Sequence, residues 1–234
     1  MKLLAALTAT IVMGVLTVAV VASGPTANES AATTNAVAVG DIPGSLVPVY
    51  VAAAGSCPGL PWTVLAAIGF TESRHGNGHV DPVTGDVTPP ILGPALDGRN
   101  GTARITDPLS ADGWAHAQGP MQFLPSTWTA WARLAPGRPP GATPSANNSW
   151  DAIWTAAAYL CGGRSSLGDL RAAILTYNHS NTYVDTVLAK AAEYEHAAQI
   201  AASPASAGGL VCPVAAPIRH SNDWHAPRSG GRLH

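Results

Sequence analysis

The chain has 234 residues, room for one domain of ordinary size with a leader and a tail. Charged residues make up 11% and the formal net charge is −2. That balance excludes a basic face built to meet phosphates, so nucleic acid is not an expected partner. At the N-terminus Lys2 precedes an uncharged, mainly apolar run from Leu3 to Ala22, and the next charge is Glu29. A basic start, an apolar middle and the small residues Val21-Ala22-Ser23-Gly24 read as an export signal. The run is also long enough to span a bilayer as an uncleaved anchor. Residues 1–23 are therefore a signal peptide or a membrane anchor, and either places the rest of the chain outside the cytoplasmic membrane, secreted to the envelope or held at the membrane's outer face. Residues 24–42 and 203–211 are rich in Ala, Ser, Gly and small polar residues and read as linkers. The domain between them spans 43–202.

Helix patterns dominate that domain. Leu46–Ala54 reads as a short apolar helix, and Pro61 suits the first turn of a second one running to Ser73. On that helix Leu65, Ile68 and Gly69 share a face with Glu72, at spacings of seven, four and three. Residues 74–118 carry many Gly and Pro and read as a long irregular, substrate-side loop with room for a short hairpin. Pro125-Ser126 leads into a helix over Thr127–Leu134. Ser149 is placed to cap Trp150–Leu160, which stops at Gly162-Gly163. Helices over Leu167–Tyr177 and Thr182–Ala202 follow, the latter with Val184, Val187, Leu188 and Ala191 on one face. With no strand-period run and no internal repeat, the expected fold class is mainly α. Cys57 and Cys161 lie beside two of these helices. In an exported chain they can pair, closing a loop of about 100 residues for up to ~4–5 kcal/mol in a chain-entropy model, or remain buried thiols. Cys212, past the second linker, has no evident partner.

Chemistry concentrates around Glu72. A carboxylate ending an apolar stripe points at a partly dry surface, where desolvation raises its pKa and lets it donate a proton near neutrality. A helix-end glutamate paired with Arg74 is the plainer alternative. Three segments bear on the choice: Glu72-Ser73, then Gly119-Pro120-Met121-Gln122, then Thr176-Tyr177-Asn178. In this order and helical context they resemble the Glu-Ser, Gly-x-Met-Gln and Ala-Tyr-Asn motifs of the soluble lytic transglycosylases. That family belongs to the lysozyme-like superfamily, and the likeness covers roughly residues 43–200. It implies a lysozyme-like domain that cleaves the MurNAc–GlcNAc β-1,4 bond of peptidoglycan glycan strands. Glu72 would act as acid and then base, leaving 1,6-anhydro ends, with neither metal nor organic cofactor. It further implies Ser73 holding local geometry, Gln122 meeting sugar amide or hydroxyl groups with Met121 packed behind it, Tyr177 meeting the catalytic carboxyl, and Asn178 beside it. A monomer is expected.

The pattern has departures. Thr176 stands where Ala is common, and residues 74–118 make a long link between the first two motifs. An aspartate from that link (Asp81, Asp86, Asp97, Asp107 or Asp112) is a candidate second acid, which would suit a water-using muramidase of the goose-lysozyme kind. A cleft blocked by the loop would suit a non-catalytic wall-binding or assembly module. His75 and His79 have zinc-like i, i+4 spacing, but Gly76-Asn77-Gly78 between them disfavours the helix that would make it useful, so no metal is expected. His116 and His179 flank the motifs as cleft or surface residues. The tail 212–234, from Cys212-Pro213 to His234, resembles the opening of the lysostaphin-type zinc endopeptidases. His234 matches that family's first zinc ligand. One ligand cannot hold zinc, so the tail is read as a truncated start with no peptidase activity.

Overall fold

A computed structural model describes residues 38–164 and 166–203. The leader 1–23, the linker residues 204–211 and the tail 212–234 lie outside those residues. Six α-helices follow in order: α1 Val47–Gly55, α2 Trp62–Ser73, α3 Pro125–Trp131, α4 Ser149–Cys161, α5 Leu170–Tyr177 and α6 Asn181–Ala202. Among the described residues there are no strands, only isolated antiparallel bridges, so the chain is mainly α. No described helix is long and apolar enough to cross a membrane.

Helix α2 is the centre of the fold. Thr63 through Gly69 are all buried, and α6, α1 and α4 pack around it. A helix apolar on every side is stable only when covered on every side. Its sequence is accordingly small and apolar where neighbours come close. A Cβ at Gly69 would run into the Tyr50 hydroxyl and stand 3.3 Å from Met121 Sδ. Glycine costs about 1 kcal/mol in a helix interior relative to alanine, and here it lets α1 and the 119–122 turn close on α2. Helix α6 reaches α2 through Val184, Val187, Ala191 and Tyr194, all buried.

Several element ends differ from the sequence reading. Asn148, not Ser149, caps α4: its Oδ1 accepts from the Trp150 and Asp151 amides at 3.1 and 3.2 Å. Helix α5 starts at Leu170, because Asp169 Oδ1 accepts from Ala172 N and fixes the start there. Helix α3 stops at Trp131. Gly162 ends α4 in the left-handed conformation, as the Gly162-Gly163 pair suggests. The linker reading of 24–42 gives way at its end, since Val39 and Ile42 are buried against the core.

The long loop is not a free excursion. Short bridges pair Val80 with Val87, Leu92 with Gln118, Asp97 with Arg104 and Thr106 with Trp114. Two asparagines fasten it to the start of α4. Asn147 Oδ1 accepts from Ile91 N at 2.8 Å, and Asn148 Nδ2 donates to Thr84 O and Asp86 Oδ1, both at 2.8 Å. The Trp150 ring covers Gly85 so closely that any side chain there would strike it.

Cys57, just after α1, is disulfide-bonded to Cys161 at the end of α4, with a Cα–Cα distance of 5.9 Å and a sequence separation of 104. Closing so long a loop restricts the unfolded chain strongly. Reducing this bond is expected to lower the unfolding free energy by about 2–5 kcal/mol. Urea melts with and without reductant measure it, and coincident melts would assign the bond no structural role.

Candidate active site

Where α2 leaves the core its chain turns left-handed. Arg74, His75, Gly76, Asn77 and Gly78 have φ of 52, 59, 84, 53 and 78°. The Arg74 and His75 amides donate to Phe70 O and Gly69 O at 2.8 and 3.0 Å, closing the helix. Three of the five carry side chains, and left-handed backbone costs such residues roughly 1–2 kcal/mol each, so something must hold the turn. Ser73 Oγ is one clamp: it donates to Pro120 O at 2.6 Å and accepts from Gly76 N at 2.8 Å.

His75 is the second clamp, fully buried between two tyrosines. Tyr194 has one hydroxyl proton and gives it to Asp41 Oδ1 at 2.7 Å. It must then accept from His75 Nε2 at 2.9 Å, which leaves Nδ1 bare to accept from the Tyr50 hydroxyl at 2.9 Å. Burial first of all pushes the His75 pKa down, to about 4, which agrees with a neutral ring. The zinc-like spacing of His75 and His79 therefore comes to nothing: one ring is inside, the other exposed. Among the described residues no group of three or more His, Cys, Asp or Glu could hold a metal ion.

The last turn of α2 opens on a cleft of about 630 Å³. Its lining runs from Phe70 to Arg74 and on to Asn77 and His79 of the turn, and takes in Pro89, Pro90 and Ile91 of the loop, Gln122 and Thr186. Glu72 is half-buried there, and Tyr183 donates its hydroxyl to Glu72 Oε1 at 2.6 Å. Burial pushes the Glu72 pKa from its ordinary 4.5 up to about 7, against the downward pull of the Tyr183 hydrogen bond. No described cation pairs with Glu72, Arg74 included. Burial and the neighbouring carboxyl raise the Tyr183 pKa as well, so it stays a donor.

The motif residues meet, though not all in the expected contacts. Gly119 to Gln122 form a tight turn between Gln118 and Phe123, which exchange backbone hydrogen bonds at 2.8 and 2.9 Å. Gly119 has φ 72°, and a Cβ there would overlap the Ala146 carbonyl, so only glycine fits. Gln122 is left-handed at φ 51°, and its Nε2 donates to Gly119 O at 2.8 Å while the side chain lines the cleft. Met121 is wholly buried under the turn. Its carbonyl accepts from the Tyr177 hydroxyl at 2.7 Å. This corrects the expected partner of Tyr177, which props up the turn, while Tyr183 meets the carboxyl. Asn178 ends α5, is exposed and does not line the cleft.

Tyr183 lies 111 residues from Glu72 and in none of the three motifs. One sequence signal marks it: Tyr183, Val187 and Tyr194, at spacings of four and seven, continue the stripe by which α6 covers α2. None of the loop aspartates lines the cleft. Asp81 accepts from Val83 N and Thr84 N, Asp86 from Asn148, Asp97 from Arg99 N and Asp107 from Leu109 N. Asp112 holds Ser110, Trp114 N and His116. Among the described residues Glu72 is the one carboxylate lining the cleft.

Compared with family models, with curated proteins and with solved structures, the chain finds no match in any of the three.

Two expected outcomes follow from the Glu72 environment. Tyr183→Phe removes a bond that favours the ionised form, so the Glu72 pKa should rise above about 7 in carboxyl-resolved NMR titrations. A fall, or no change, would show that the hydroxyl does not act on the carboxyl. Because the folded pKa exceeds the unfolded one, the contribution of Glu72 to stability is complete below 4.5 and is lost as pH rises through about 7. Glu72→Gln should then melt like the parent at pH 4. Above pH 8 it should be more stable by on the order of 2–3 kcal/mol, discounted for partial exposure.

Proposed function

We propose that this chain is an exported peptidoglycan lytic transglycosylase with a lysozyme-like domain, cleaving the MurNAc–GlcNAc β-1,4 bond to leave 1,6-anhydro-MurNAc ends. The observation that carries the reading is Glu72: a half-dry carboxyl with a pKa near 7, which among the described residues pairs with no cation and is the single acid lining an open cleft. A carboxyl so poised is protonated in a large fraction of molecules at neutral pH and is a strong enough base once it has given its proton up.

In the first step neutral Glu72 protonates the glycosidic oxygen as the bond to the muramic C1 breaks. The carboxylate left behind keeps the Tyr183 hydrogen bond on Oε1, which steadies the new charge and leaves the other oxygen for the sugar. In the second step the C6 hydroxyl of the same muramic residue attacks C1 and yields its proton to Glu72. Glu72 is thus neutral again after each cycle. The nucleophile comes from the substrate, and the sugar's N-acetyl group can assist at C1, so one carboxyl is enough. A hydrolytic muramidase of the usual kind would want a second carboxyl facing the first, and every aspartate of the long loop is engaged elsewhere. The loop walls the cleft without filling it, which weighs against a wall-binding module with a closed site. Gln122 presents amide groups to sugar hydroxyl or acetamido groups. The disulfide suits an oxidising compartment outside the cytoplasmic membrane.

The test is mass spectrometry of purified peptidoglycan digested by the chain and by Glu72→Gln. Anhydro-muropeptides are expected from the former and none from the latter. Reducing ends would make the protein a hydrolase, and no release from either would make it a binding module. Turnover should fall with rising pH above about 7, close to tenfold per unit once Glu72 is mostly ionised.

A further inference from the structure

The left-handed turn that ends α2 has a second consequence. It buries His75 and sets Arg74, Asn77 and His79, all exposed, along one edge of the cleft that holds Glu72. None of these three side chains makes a hydrogen bond or an ion pair with the described protein. The contrast with Lys190 is instructive. Both cations lie against the Phe70 ring, Lys190 Nζ at 4.1 Å and the Arg74 guanidinium at 5.7 Å from its centroid. Lys190 is matched by Asp41 and Glu193 at 3.2 and 3.1 Å. Arg74 has no such acid, and its five donors are unspent. Pro89, Pro90 and Ile91, which also line the cleft, have no polar side chain to satisfy them. A planar guanidinium steadied on an aromatic face, with an amide and an imidazole beside it, is suited to bidentate capture of a carboxylate.

We infer that Arg74, with Asn77 and His79, forms a carboxylate subsite beside Glu72 that grips the acidic substituent of the muramic residue. This rests on the peptidoglycan reading above. The carboxylate comes from the peptide stem when one is attached, or from the lactyl group when it is not. Bidentate pairing there fixes which sugar sits over the acid, and it makes Arg74 a specificity-determining residue.

The test uses the full chain, Arg74→Gln and Arg74→Lys on four substrates. These are intact peptidoglycan, the same material with its carboxyls converted to amides by carbodiimide and ammonia, amidase-stripped glycan with a free lactyl carboxylate, and stripped glycan amidated likewise. On carboxylate-bearing glycan Arg74→Gln should raise KM roughly tenfold at nearly constant kcat, the loss of one charge-assisted pair. Arg74→Lys should recover part of it. Amidation should bring the unsubstituted chain to the same KM as Arg74→Gln and remove the difference between them. The arm in which Arg74→Gln loses more names the carboxylate. Equal KM values for all three proteins on native and amidated glycan would overturn the subsite while leaving the lyase reading intact. Binding of sonicated, soluble peptidoglycan to Glu72→Gln, with and without Arg74→Gln, is read by calorimetry without turnover. If the unsubstituted chain cleaves nothing, carboxylate-dependent binding lost with Arg74 sinks the lyase reading and keeps the subsite. Binding indifferent to Arg74 sinks the subsite.

Discussion

Helix α2 is buried on every side until its last turn, and the rest of the structure depends on that burial. Its apolar length forces α1, α4 and α6 to close around it. Its end is then the place where a polar side chain comes free of the core without reaching bulk water. Glu72 stands at that point. Burial there pushes its carboxyl to about 7, and the same packing that covers α2 brings Tyr183 of α6 within 2.6 Å of it. Core formation and the raised pKa of Glu72 are thus two results of one packing arrangement.

Three hydroxyl groups carry the second layer of organisation. Ser73 and Tyr177 each donate to a carbonyl of the Gly119–Gln122 turn, at Pro120 and Met121, so that turn is fixed from both sides by residues of the other two motifs. The proposed Glu-Ser, Gly-x-Met-Gln and Tyr-Asn segments are therefore physically interlocked whatever their chemistry. Tyr50 does the same beneath the left-handed turn, through the neutral His75. A polar network this far inside the fold is tolerable because each donor has its acceptor. It stretches from α1 through Tyr194 to Asp41, ahead of the first helix, and explains why the residues just before position 43 pack as part of the domain.

The helices were largely legible because their signals are local. Pro61, Pro125 and Gly162 mark ends by their own backbone limits, and the stripe on α6 follows from helical period. The cap of α4 is not a local matter: Asn148 and Ser149 are both good caps, and the choice falls to Asn148 because its amide also reaches Thr84 and Asp86 across 64 and 62 residues. At the site, Glu72, Ser73, Met121 and Gln122 were readable as segments. The partner of Glu72 was not, since Tyr177 and Tyr183 are six positions apart and nothing short-range says which ring turns toward the acid.

By itself the sequence determined the helical class, a helix over Pro61–Ser73 with an apolar face and one acid at its end, a cysteine pair able to join, and an uncharged leader-like run at the start. Each of these follows from residue type and spacing along one segment. Only the tertiary structure decided the hydroxyl that holds Glu72, the turning-away of every loop aspartate, the burial of His75 and the freedom of Arg74. Those depend on contacts between residues far apart in the chain, whose geometry is set when α6 and the loop are packed against α2.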